Sequence, residues 1–198
     1  DYVDIFCEKD YFTTQDTERL LIAASKLGIQ GKTHVNQFNS IGGVKASVDN
    51  NALSVDHLEE MNPEDYTALK GSNCIPTILP SCSFFLGIPY GPAREIINEG
   101  LPLALASDYN PGSSPSGNMK FVSSLGCIKL KMNPEEVINA TTINSAYAMG
   151  IQKELGSICI GKKANLFITK KIPSYSYIHY SFQENLIEQV ILNGKIIV

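Results

Sequence analysis

The sequence predicts an α/β fold: about five βα units on a parallel sheet, followed by a small all-β part. Three observations predict it. Short, continuously apolar runs alternate with amphipathic helical patterns, the signature of right-handed βαβ crossovers. The runs lack polar alternation, as expected of strands buried on both faces. They recur every roughly 22–28 residues, near the pitch of a (β/α) barrel unit. A closed barrel of this kind has eight strands, and five are read here, ending near residues 7, 36, 57, 79 and 107.

The first strand is 3–7, with Glu8 behind it. Thr13 or Thr14 caps a helix through Leu27, which places Leu20, Leu21, Ala24 and Leu27 on one face and is closed by Gly28. A strand at 31–36, a helix near 43–50 and a strand at 53–57 follow. Asn62-Pro63-Glu64-Asp65 is a helix start, with a cap, a Pro in the first turn and acids against the dipole. That helix runs to about Lys70, and a strand follows at 75–79. Pro92 opens a helix ending at Gly100, and a strand at 103–107 delivers Asp108. Asn133-Pro134-Glu135-Glu136 starts another helix, and Asn144 is read as the cap of one ending at Gly150.

The character then changes. Gly156-Ser157-Ile158 reads as a turn, residues 161–168 as a turn and strand, and 190–198 as a hairpin about Asn193-Gly194, a type I′ signal. Residues 1–150 therefore hold the βα units and 151–198 the β part.

The chain has 198 residues, 43% of them apolar and 18% charged, which supports a packed core and argues against disorder. A net charge of −4 argues against a general nucleic-acid or anionic-membrane binder, because phosphate partners require clustered Lys and Arg. No apolar run reaches the roughly 18–20 residues that span a bilayer. Asp1-Tyr2-Val3-Asp4-Ile5 has neither a basic region nor a long apolar one, so it does not read as a signal peptide. It also lacks an initiating Met, and the chain is expected to start part-way through a longer protein. Cys7, Cys74, Cys82, Cys127 and Cys159 are odd in number and form no C-x-x-C pair, which predicts free thiols in a reducing cytoplasm. Asn139-Ala140-Thr141 matches a glycosylation sequon but lies in a helical pattern, and is read as chance.

In parallel α/β folds, functional groups gather where strands end at their carboxyl side. That rule selects Glu8, His34, Asn36, Gln37, His57, Asp108 and Asn110. Two of the three histidines are in this group, one βα unit apart, so they should face one cavity from adjacent strands. Imidazole and carboxylate together suit zinc or iron, and an open coordination position would activate water. His34 and Asp108 are the two good ligands, and His57 reads either as a ligand or as an acid/base. The plainer alternative is a set of ordinary polar strand ends. Asp108-Tyr109-Asn110-Pro111-Gly112-Ser113-Ser114 joins a strand-terminal acid to a Pro-Gly turn, whose backbone N–H groups and hydroxyls are expected to be free for a carboxylate or carbonyl oxygen. A plain surface turn is the alternative here. There is no phosphate-binding glycine motif, and Gly42-Gly43 is too short to be one.

Lys32-Thr33-His34-Val35-Asn36-Gln37-Phe38, Val55-Asp56-His57-Leu58 and Ala106-Ser107-Asp108-Tyr109-Asn110-Pro111-Gly112-Ser113-Ser114-Pro115 resemble the amidohydrolase superfamily and, within it, the imidazolonepropionase family. The Asp-x-Asn-Pro-Gly turn narrows the resemblance more than the histidines do. Ala140 to Ala148, and the segment from Gly156 to Asn165, look like the late helix and the β-sandwich entry of that superfamily. The resemblance implies the C-terminal part of a metal-dependent (β/α)8 TIM barrel: strands four to eight in 1–150, then the C-terminal part of a composite β-sandwich in 151–198.

It also implies a reaction, the third step of histidine degradation: hydrolysis of the cyclic amide C–N bond of 4-imidazolone-5-propanoate to N-formimidoyl-L-glutamate, with one Zn or Fe. By the same resemblance His34 and Asp108 are metal ligands, and Asp108 also takes the proton of the attacking water. His57 hydrogen-bonds the substrate carbonyl, and Asn110, Gly112 and Ser113 hold the substrate. Homodimerisation of the full-length protein and a cytoplasmic location are implied as well.

Two departures stand out. Many family members carry a Glu, assigned a proton-handling role, where this sequence has Gln37, and a neutral amide can only hydrogen-bond. The superfamily also supplies two further metal ligands as His-x-His on the first strand, and this sequence contains no His-x-His. The chain is therefore expected to be the C-terminal half of such an enzyme and to hydrolyse poorly by itself. A different amidohydrolase (a heterocycle deaminase or another cyclic amidase) and an inactive structural relative are the alternatives.

Overall fold

Five parallel strands lie side by side in chain order: β1 (Tyr2–Cys7), β2 (Gln30–Val35), β3 (Ser54–His57), β4 (Ile75–Ile78) and β5 (Ala104–Leu105). This computed structural model describes residues 2–198; Asp1, where the first expected domain begins, lies outside them. Each strand pairs only with its sequence neighbours, the pattern that repeated βα crossovers produce.

The crossovers are helical. α1 (Thr14–Lys26) joins β1 to β2, α2 (Gly43–Asp49) joins β2 to β3 and α3 (Pro63–Leu69) joins β3 to β4. α4 (Pro80–Leu86) and α5 (Ala93–Asn98) lead into β5, and α6 (Met119–Ile128), α7 (Pro134–Thr141) and α8 (Ile143–Ala148) follow it. Reciprocal capping boxes start three of them: Thr13 with Asp16, Asn62 with Asp65, and Asn133 with Glu136. α9 (Tyr177–Tyr180) is one short turn. β6 (Leu166–Thr169), β7 (Ile187–Leu192) and β8 (Lys195–Ile196) form a separate antiparallel sheet. Asn193 and Gly194, both at positive φ, make the tight turn between its last two strands, as the Asn-Gly pair predicts.

The parallel sheet has two unlike faces. Toward the helices point Cys7, Val35, Val55, Ile78 and Leu105, which form one apolar core with Leu21, Val44, Leu69, Ile96, Val122 and Val137. The other face carries polar rows. Parallel register sets Asp4, Lys32, Ser54 and Ile75 abreast, and one step nearer the carboxyl ends Phe6, His34, Asp56 and Thr77. Lys32 is tied there to the Ser54 hydroxyl and to the Ala148 carbonyl at 3.2 Å, with Asp56 at 3.7 Å.

Some expectations need correction. Leu27 is not on the packed face of α1; it is the C-cap residue and 76% exposed, because the helix ends at Lys26. Asn144 does not cap α8. Thr142 holds that position, and the Asn144 amide instead donates to the Leu103 carbonyl at 2.8 Å. α4, α6 and α9 were not anticipated. Gly156, at φ +87°, abuts α8: a Cβ there would lie 2.6 Å from that of Ala146, so only glycine fits. No helix among the described residues is long and apolar enough to cross a membrane.

Candidate metal centre

The carboxyl ends of β2, β3 and β5 converge. One ligand atom each from His34, His57 and Asp108 lie within 4.8 Å of one another, and the two imidazole rings sit 5.1 Å apart. His57 (φ +89°) and Asp108 (φ +53°) both occupy the left-handed region, as does Asn36 (φ +57°). For a side chain like His57 this costs about 1–3 kcal/mol and concentrates at functional positions. The strand must break abruptly there, and the break turns the imidazole into the cleft.

His34 is half-buried, and its Nδ1 lies 2.9 Å from the Asp4 carboxylate. Burial is the largest single influence on its pKa and acts downward. The hydrogen bond to Asp4 and the charges of Asp4, Asp56 and Asp108 together outweigh it, and the pKa is raised. His57 is fully buried. Its Nδ1 stands 3.6 Å from Glu59 Oε2, and neither atom has a hydrogen-bond partner among the described residues. The other Glu59 oxygen accepts from the Ser83 hydroxyl at 2.9 Å.

Asp108 accepts the Ser113 hydroxyl at 3.1 Å. The loop beyond it is internally bonded, which corrects the expectation of free donors. Asn110 Oδ1 accepts the backbone N–H groups of both Gly112 and Ser113 at 2.8 Å. Asn110 Nδ2 donates to the Asp108 carbonyl and to Ser113 Oγ, each at 2.8 Å. The Asn amide makes an Asx turn and spends the N–H groups that a ligand would need.

Gln37 is buried, and its amide nitrogen donates to Cys82 Sγ at 3.6 Å. Burial pushes the Cys82 thiol up to about 12. Glu8 does not face the cleft. Its carboxylate, 2% exposed, accepts the backbone N–H groups of Lys9 and Phe38 at 2.9 Å and of Asn39 at 3.2 Å. Asn36 likewise turns its amide to the Glu60 carbonyl and the Asp65 carboxylate, both at 2.8 Å.

The resulting cleft of about 400 Å³ takes in His34, Gln37, His57, Asp108, Asn110 and Ser113, with Phe6, Phe38 and Leu86 as apolar walls. Gly112 is not on its lining. A larger groove of about 1060 Å³ runs along α1 and β1 but holds none of the three converging donors. Two imidazoles and a carboxylate are the donor set that zinc or iron prefers, so the residues present fit a divalent metal. Sequence reasoning passed over Asp4, Glu59 and Ser83. A readable signal existed for Asp4, an acid within an otherwise apolar strand.

This fold and site define the class. A family model described as the amidohydrolase family matches residues 12–197, and the chain belongs to that family. The likeness narrows among curated relatives. An imidazolonepropionase of Flavobacterium johnsoniae is 62% identical over 197 residues, covering all of this chain and 48% of the relative. One of Christiangramia forsetii is 61% identical with the same coverage. One of Alkaliphilus metalliredigens is 39% identical over 199 residues, covering 47% of the relative. The chain thus spans about half the length of the curated relatives it matches. Solved structures share the fold at low identity. An adenosine deaminase of Xanthomonas campestris with bound zinc superposes with a TM-score of 0.80 at 15% identity, over 98% of this chain and 50% of the other. An atrazine chlorohydrolase of Arthrobacter aurescens complexed with zinc and atraton gives 0.77 at 14% identity, with the same coverage.

Proposed function

We propose that this chain is the C-terminal half of a metal-dependent hydrolase that opens the ring of 4-imidazolone-5-propanoate with water, giving N-formimidoyl-L-glutamate. The convergence of His34, His57 and Asp108 at three strand ends carries the reading, and the imidazolonepropionase relatives at 58–62% identity supply its substrate. On this reading residues 2–150 form the later five units of a (β/α)8 barrel, and the three-stranded sheet is part of a β-sandwich. The free thiols at all five cysteines support a cytoplasmic placement.

One zinc or iron ion, held by His34 and Asp108 with further ligands from outside this chain, would polarise the cyclic amide and make water more acidic. The chain's own residues do the rest. Asp108 accepts the proton of the attacking water on a carboxylate oxygen and returns it to the departing ring nitrogen. His57 donates a hydrogen bond to the carbonyl oxygen as negative charge grows there. Glu59 Oε2 lies 3.6 Å from Nδ1 of the same ring. Gln37 holds a fixed hydrogen-bonding position and carries no proton. Asn110 and Ser113 line the loop side of the cleft and hold Asp108 in place through the Ser113 hydroxyl, and Gly112 keeps that loop's turn.

The test uses the full-length gene product loaded with zinc. Loss of the imidazolone absorbance with formation of N-formimidoyl-glutamate is expected, and D108N should lower kcat by roughly 10²–10⁴-fold, the worth of a positioned acid/base. A wild-type protein that leaves the imidazolone intact and instead releases ammonia from an aminated heterocycle would overturn the reading.

A further inference from the structure

The polar face of the sheet presents two carboxylates beside one lysine and one histidine, and their pairing is selective. Asp4 lies directly opposite Lys32 in the strand register, yet Lys32 turns the other way, to Ser54 and Asp56. Asp4 instead reaches one row forward to His34, with both carboxylate oxygens 2.9 Å from Nδ1. A carboxylate can only accept, so this contact requires the hydrogen of the neutral imidazole to sit on Nδ1. The lone pair is then on Nε2, free for a metal.

We propose that Asp4 is a positioning residue that sets the tautomer and ring orientation of His34 and thereby raises the affinity of the site for a divalent cation. The inference rests on the functional reading above and deepens it. Carboxylate–histidine pairs of this kind orient metal-binding imidazoles and raise their basicity, and losing the carboxylate typically weakens metal affinity by about 10–100-fold. The geometry also explains an acid in a strand otherwise made of Tyr2, Val3, Ile5, Phe6 and Cys7. Asp4 lies on the cleft side of β1 and outside the apolar core between sheet and helices, so its replacement leaves that core untouched.

Zinc affinity of the full-length protein, measured by competition with a chromophoric chelator, provides the first readout for D4E, D4N and D4A. Affinity should fall about 10–100-fold in D4A, less in D4N, whose amide oxygen still accepts, and least in D4E. The second readout is the ring ¹⁵N spectrum of His34 in the metal-free protein, which a merely structural role would not move. Wild type should show the Nδ1–H tautomer alone and D4A a mixture. Unchanged affinity together with an unchanged tautomer in D4A would overturn the assignment. A wild type that binds no zinc and leaves the imidazolone intact would overturn the functional reading itself. The tautomer change in metal-free D4A would persist in that case, so the two failures are distinguishable.

Discussion

Glu8 Oε2 accepts the Phe38 N–H at 2.9 Å, which ties the end of β1 to the loop that carries Gln37 across the cleft. The carboxylate is buried and its bonds go to main-chain donors, so it fixes backbone. Its removal strands three N–H groups, each costing about 1–3 kcal/mol when buried and unpaired. E8A should lower unfolding free energy in urea by about 3 kcal/mol. A loss under about 0.5 kcal/mol, the size of an ordinary surface change, would show that water replaces the carboxylate.

Acid should weaken the fold through His179. Burial is the main influence and lowers its pKa, while the Pro134 carbonyl and the Glu135 charge pull upward less strongly. In the window below the unfolded value near 6.5, the unfolded chain binds a proton that the folded one does not. Stability therefore falls as pH drops from 7 toward 5, with a slope of at most about 1.4 kcal/mol per pH unit. H179Q should flatten that slope in urea titrations at successive pH values. An identical slope in the variant would assign it elsewhere.

Thiol reactivity should divide by burial. Cys159 is exposed, whereas Cys7, Cys74 and Cys82 are buried. Burial pushes Cys74 and Cys82 up to about 12, which leaves almost no thiolate at pH 8. An aromatic disulfide reagent on the native chain should label Cys159 first, and Cys7, Cys74 and Cys82 only after denaturation. Early labelling of Cys82 would mean that the Gln37 wall opens in solution.

Gly156 is the junction between the helical layer and the β part. G156A combines a positive φ with a methyl group 2.6 Å from Ala146 Cβ and 3.1 Å from the Thr142 carbonyl oxygen. It should cost about 1–3 kcal/mol, the range for an overpacked site. Gly161, at φ +90° with open space around it, supplies the control, and G161A should cost less. Equal thermal shifts in the two variants would remove the packing part of the argument.

Much of this architecture was legible because local signals agreed with one another. Asn62-Pro63 and Asn133-Pro134 mark helix starts by chemistry that works without tertiary partners, and both helices begin there. The strand-end rule brought His34, His57 and Asp108 to one cleft because in a parallel sheet all carboxyl ends share a side. What was missed depends on long-range contacts. α4 opens on Pro80 with no side-chain cap, so it has little to announce it. Asn144 looked like a cap, but its amide is claimed by Leu103, far away in sequence. Free donors in the Asn-Pro-Gly turn were expected from composition. Only the folded loop shows that the Asn110 side chain takes them first. The contacts of Asp4 with His34 and of Glu59 with His57 likewise form when neighbouring chain segments meet.

The most direct test of the metal centre is an anomalous difference map of the full-length protein crystallised with zinc. The account predicts a peak about 2.0–2.2 Å from a His34 nitrogen and an Asp108 oxygen, the usual zinc distances. Zinc bound elsewhere, or no peak between those two side chains, would contradict it.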